Sequence, residues 1–160
     1  MTSKIKIALL ILTCFTLMAC PKGHFHEYDY TGIELPNDEL AFAKVEYDKD
    51  KFLNIRAGYY IQFIEPKKSG LTVVIESSPN FDLSNNDIVK EVKSSVFGKL
   101  KKVDSMFYSS RMNETGNSLT YNLNFENSNE TKMLKKIEAD TISIVLLNGK
   151  ILEFIRKSKT

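Results

Sequence analysis

The run TISIVLLNGKILEFIRK, Thr141 to Lys157, constrains the fold most. Two apolar stretches flank Asn148-Gly149. That dipeptide is the preferred two-residue turn between antiparallel strands, because both positions tolerate positive φ. A chain that ends this way must build an antiparallel sheet around the hairpin.

The same signature recurs upstream. SLTYNLNFE alternates Leu119, Tyr121, Leu123 and Phe125 with Thr120, Asn122, Asn124 and Glu126. Strict alternation means a strand with one dry face and one wet face. Tyr59 to Glu65 and LTVVIE from Leu71 read as two strands joined through PKKSG, with Pro66 and Gly70 at the turn. LAFAKVEY puts Ala41, Ala43, Val45 and Tyr47 on one face.

Between these strands, Ile88, Val92, Val96, Leu100 and Val103 recur at spacings of four and three. This predicts one amphipathic helix over about 85–102, capped by Ser84. Its lysines, Lys90, Lys93, Lys101 and Lys102, read as a solvated face; Asp87 and Glu91 dilute their pull on anionic lipid. ETKMLKKIEA predicts a short second helix with Met133, Leu134 and Ile137 inward. The expected class is α+β: an antiparallel sheet of about six strands with the long helix on one face. The alternative is a β-sandwich with peripheral helices.

The N-terminus carries a different message. Lys4 and Lys6 precede an apolar stretch from Ile7 to Met18, too short for a stable membrane span and right for a signal-peptide core. Leu17-Met18-Ala19-Cys20 then resembles the bacterial lipobox. The resemblance implies cleavage before Cys20, lipid (palmitate among its acyl chains) on that cysteine, and membrane attachment. Several chains on one residue anchor durably where one does not. Pro21 and the lack of aspartate beside it resemble the sorting signal for the outer membrane, facing the periplasm of a Gram-negative host. The expected organisation is therefore a leader at 1–19, lipidated Cys20 with a polar tether over 20–39, and one globular domain at 40–160.

Processing changes the charge and the thiol inventory. The chain has 22 basic and 20 acidic side chains, a net +2. Lys4 and Lys6 leave with the leader, so the mature domain is neutral and poorly suited to nucleic acid. The two cysteines are Cys14 and Cys20; one is removed and the other acylated, which leaves no thiol chemistry.

Motifs for catalysis are missing. The chain has no Gly-x-Ser-x-Gly, and beyond the leader no Ser-x-x-Lys. Asp48-Lys49-Asp50 lacks the glycine and closing glutamate of a calcium loop. His24 and His26, followed by Glu27 and Asp29, are metal-ligand candidates set on a tether. Glu65, Glu76 and Glu126 stand on or beside strands, where acids ordinarily face water.

Adjacent aromatics put one ring on each sheet face. Tyr59-Tyr60 and Phe107-Tyr108 are such pairs. Tyr60, Tyr108, Asn122 and Asn124 form the candidate binding face. The expectation is a non-enzymatic envelope lipoprotein that binds another protein and needs no cofactor. A narrower form is an immunity protein against a periplasm-acting toxin, by analogy of size and address. The alternatives are a small hydrolase using paired carboxylates and a structural linker between wall and membrane.

Overall fold

In the computed structural model the described residues are 23–36, 42–62, 68–77, 81, 83, 87–103, 118–125 and 130–156. Ten strands and one helix account for most of them. The strands are β1 (Gly23–Tyr30), β2 (Ala43–Asp48), β3 (Lys51–Gln62), β4 (Lys68–Ser77), β5 (Val89–Ser94), β6 (Gly98–Lys99), β7 (Lys101–Val103), β8 (Ser118–Phe125), β9 (Thr141–Leu146) and β10 (Ile151–Ile155). The helix α1 covers Glu130–Glu138.

All strand pairs are antiparallel, in the order β6-β5-β9-β10-β1-β3-β4-β8-β7. The two ends of that order are consecutive pieces of one segment. Gly98 and Lys99 pair with β5, and Lys101 to Val103 pair with β8. Only Leu100 separates them, and its N–H donates to Val92 O at 2.9 Å. The sheet thus curls into a nearly closed barrel. Closure leaves few bare edges.

β1 and β2 share one edge of β3. Gly23 to Tyr28 pair with its C-terminal half and Ala43 to Asp48 with its N-terminal half. The segment after β1 bridges the resulting gap in the wall. Thr31 N–H donates to Glu153 O of β10 at 2.9 Å, and Leu35 N–H donates to Lys44 O of β2 at 3.0 Å. The β9–β10 turn also caps β2, through Asn148 Nδ2 to Tyr47 O at 2.9 Å and Lys150 Nζ to Glu46 O at 2.6 Å.

Alternate residues fill the barrel. Leu53, Ile55, Ala57 and Tyr59 of β3 face Leu71, Val73 and Ile75 of β4, all buried. Ile142, Ile144, Leu146, Leu152 and Phe154 close the far wall. Met133 and Ile137 of α1 enter the same cluster, so the helix plugs one barrel end.

These observations overturn the α+β expectation, and the β-sandwich with it. Where the spacing predicts a helix over about 85–102, the chain from Val89 to Val103 is three strands and a tight turn. A register shift between Val89 and Glu91 marks a bulge in β5, and the supposed stripe is no single face: Ile88, Val92 and Leu100 are buried, whereas Val96 is exposed in the turn between β5 and β6. The bulge adds one residue, which lets Val89 and Val92 share the dry face at a spacing of three. Gly98 has φ 89° and ends the turn, a conformation foreign to a right-handed helix. The four valines of the segment also favour a pleated wall.

Two further corrections are local. The expected polar tether over 20–39 contains β1, a wall strand paired along six residues with β3. The Asn148-Gly149 turn is a three-residue loop rather than a two-residue one: Leu146 N–H donates to Lys150 O at 2.9 Å across Leu147, Asn148 and Gly149. Gly149 alone among them has positive φ, at 86°. The short helix is where the spacing predicted it, with Met133 and Ile137 buried and Leu134 half-buried.

Candidate functional site

The outer face of β1, β3, β4 and β8 is built in rows by register. Phe25, Tyr60, Gly70 and Asn124 stand side by side. So do Glu27, Gly58, Thr72 and Asn122. Arg56, Val74 and Thr120 follow.

Glycine permits two rings to lie flat on this face. A Cβ at Gly58 would collide with the Phe25 ring. A Cβ at Gly70 would meet the Tyr60 ring at 3.1 Å and collide with Leu123 O. Tyr60 reaches over Gly70, and its hydroxyl donates to Asn124 Oδ1 at 2.6 Å. Arg56 lies 4.3 Å from the Phe25 ring centroid and donates through Nη2 to Glu27 Oε1 at 2.9 Å. This cation–π and ion-pair clamp fixes the guanidinium at the surface.

Three of the four residues chosen from sequence therefore meet here: Tyr60, Asn122 and Asn124. Tyr108 lies outside the described residues. Tyr60 is 7 % exposed, so its ring belongs to the packed face and only its environment faces outward. Phe25, Glu27, Arg56 and Asn54 complete the face and escaped sequence reading, because Phe25 and Glu27 sat in the supposed tether. Asn54 Oδ1, Arg56 Nε and Asn122 Oδ1 are buried without hydrogen-bond partners.

A second polar cluster is buried inside. Asp140 is 2 % exposed. Its Oδ2 accepts from Tyr28 Oη at 3.0 Å. Its Oδ1 accepts from Ser94 Oγ at 2.7 Å, Ser95 Oγ at 3.0 Å and Val96 N at 3.1 Å. Ser94 Oγ in turn accepts from Phe97 N at 2.8 Å, and Ser95 Oγ from Thr141 N at 3.0 Å. Every hydroxyl is hydrogen-bonded within the cluster, so the arrangement ties β1, the β5–β6 turn and β9 together. Burial pushes the Tyr28 hydroxyl well above the ordinary phenol range, and the Asp140 charge and hydrogen bond add to it; Arg156 opposes. Burial pushes Tyr121 up to about 12, helped by Asp87.

A pocket of about 100 Å³ opens where β1 leaves β3, lined in part by Glu27, Asp29, Tyr30, Glu34 and Phe42. Burial raises the Tyr30 pKa, with Glu34 adding to the effect. His24 and His26 share one face of β1, with ring centroids 6.3 Å apart, and His26 stacks on Tyr59 at 6.0 Å. Among the described residues no three His, Cys, Asp or Glu side chains are placed to hold a metal ion. Glu76, next to last in β4, pairs with Asn54 and Ser118 in the following row of the same face; Glu65, Glu126 and Cys20 lie outside the described residues. Among the described residues no helix is long and apolar enough to cross a membrane. In comparison with known proteins, no family model, curated protein or solved structure matches the chain.

Proposed function

We propose that this chain is a lipid-anchored envelope protein whose barrel is a non-catalytic module for binding another protein. The lipobox-like Leu17-Met18-Ala19-Cys20 supports the anchor, and the outer β1-β3-β4-β8 face supports the binding role. One observation carries the choice of face: the Arg56–Glu27 ion pair at 2.9 Å, with the guanidinium 4.3 Å from the Phe25 ring centroid, stays part-exposed on it, the two side chains 27 % and 48 % accessible. Arginine and aromatic side chains in one clamp are also what interface centres favour. Neutralising a toxin that enters the periplasm is one form of this role.

The test uses the chain from residue 20 with Cys20→Ser, immobilised and exposed to envelope and secreted extracts of the source organism and its relatives. The expected result is one stoichiometric partner whose affinity falls about tenfold or more in Arg56→Ala. Glu153→Ala, on the outer face of β10, should leave it unchanged. A partner indifferent to Arg56, or none for a well-folded domain, contradicts the proposal.

A further inference from the structure

We propose that the barrel end plugged by α1 lies against anionic phospholipid headgroups, so that the membrane fixes the orientation of the whole domain. The inference rests on the lipid-anchored reading above and adds a second contact to it.

Strand register defines the end. Gly23 pairs with Gln62, Gln62 with Lys68, and Ser69 with Phe125. These residues stand together at one rim. The helix α1 follows β8 from that rim and returns to the wall at Thr141. Its core side is Met133 and Ile137, 8 % and 0 % exposed. With successive side chains about 100° apart, Lys135 lies opposite them, Lys132 and Glu138 each about 60° to either side of it, and Lys136 about 100° round on the Lys132 flank. All four are exposed, three basic against one acidic. Lys68 adds an exposed positive charge at the same rim. The opposite end is mixed, with Asp48, Asp50 and Asp87 beside Lys49, Lys51 and Lys150.

The leash is short. β1 begins at Gly23, three residues after Cys20. Three residues span at most about 11 Å. That is a little over one Debye length at physiological salt, about 8 Å, so surface charges are screened but still felt. A lipid on Cys20 therefore holds the Gly23 rim, and the lysine face of α1 with it, against the bilayer surface. Lys135 and Lys136 each contribute about fivefold to the partition onto anionic lipid. The mixed end then projects away from the membrane, and the outer β1-β3-β4-β8 face stands upright on it, with the row of Phe25, Tyr60, Gly70 and Asn124 nearest the bilayer.

The experiment uses the full lipidated chain in vesicles containing phosphatidylglycerol and nitroxide-labelled lipid. The mature chain has no other thiol, so single fluorophores go on Thr131→Cys in α1 or Lys49→Cys in the opposite turn. Quenching at 131 should exceed that at 49 by about threefold or more, a gap that shrinks with salt and in neutral lipid. It should also shrink in the triple variant Lys132→Glu, Lys135→Glu, Lys136→Glu, whose circular dichroism should be unchanged. Equal or reversed quenching of lipidated protein overturns the orientation and leaves the anchor standing. An intact mass showing unmodified Cys20 overturns the anchor, and the orientation with it.

Discussion

The hydroxyl of Tyr28 donates to the carboxylate of Asp140 at 3.0 Å, across 112 positions of sequence. The bond joins the first strand of the barrel to the residue between its helix and its penultimate strand. It is the centre of the polar knot that sets how α1 seats in the barrel end. Replacing Tyr28 by Phe removes a donor from a charged acceptor and should cost about 1.5–3 kcal/mol. Asp140→Ala strands Tyr28, Ser94, Ser95 and Val96 N–H together and should cost more, about 3–5 kcal/mol. Urea unfolding of the two variants and their double mutant measures both the costs and the coupling.

Alkaline pH should weaken the fold. Tyr28, Tyr30 and Tyr121 all have pKa values raised on folding, Tyr121 to about 12. The folded state keeps its phenolic protons where the unfolded chain, with values near 10, has lost them. Their contribution is full below about pH 10 and is lost as pH climbs through the folded values. Unfolding free energy measured from pH 8 upward should be flat and then fall, and Tyr121→Phe should flatten part of the fall.

Gly70 should be intolerant. Its place between Tyr60 and Asn124 leaves no room for a methyl group beside Leu123 O. Gly70→Ala should cost about 1–3 kcal/mol through overpacking. Tyr60→Phe, which loses only the hydroxyl bond to Asn124, should cost about 1 kcal/mol. Thermal unfolding of the pair separates steric from polar terms.

Ile137 is the plug. It is fully buried in the core cluster. Ile137→Ala should cost about 2–5 kcal/mol, by lost burial and a cavity at the barrel end. Amide exchange should report faster opening in α1 and around Thr141 than in β3 and β4.

The strands were legible wherever one face is wet. Leu119 to Phe125 and the two arms of the last hairpin fold as strands where read, but the expected wet face of β8 is partly covered: Thr120 and its neighbours Thr72 and Val74 are buried. The short helix was legible because Met133 and Ile137 are four apart in a run without β-branched neighbours at the core positions other than Ile137 itself. Two readings failed for physical reasons. From Ile88 to Val103 a bulged strand, a turn and two short strands happen to place apolar residues four and three apart, which mimics a helix although Val96 points to solvent. Over Gly23 to Tyr30 both faces of the strand carry polar and aromatic groups, so no apolar stripe announces it, although β3 holds it along six pairs. The binding face inherited that second failure. Tyr60, Asn122 and Asn124 could be grouped by parity on their strands, but Phe25, Glu27 and Arg56 join them only through the pairing of β1 with β3, which no local pattern encodes.

The anchor underlies both the proposed role and the proposed orientation, so its chemistry is the measurement to make. Protein extracted from the membrane of the source organism should give an intact mass starting at Cys20 and carrying a diacylglyceryl thioether and an acylated amine. Cys20→Ser should abolish membrane fractionation. A mature N-terminus elsewhere, or an unmodified Cys20 thiol in the membrane-extracted protein, contradicts the account.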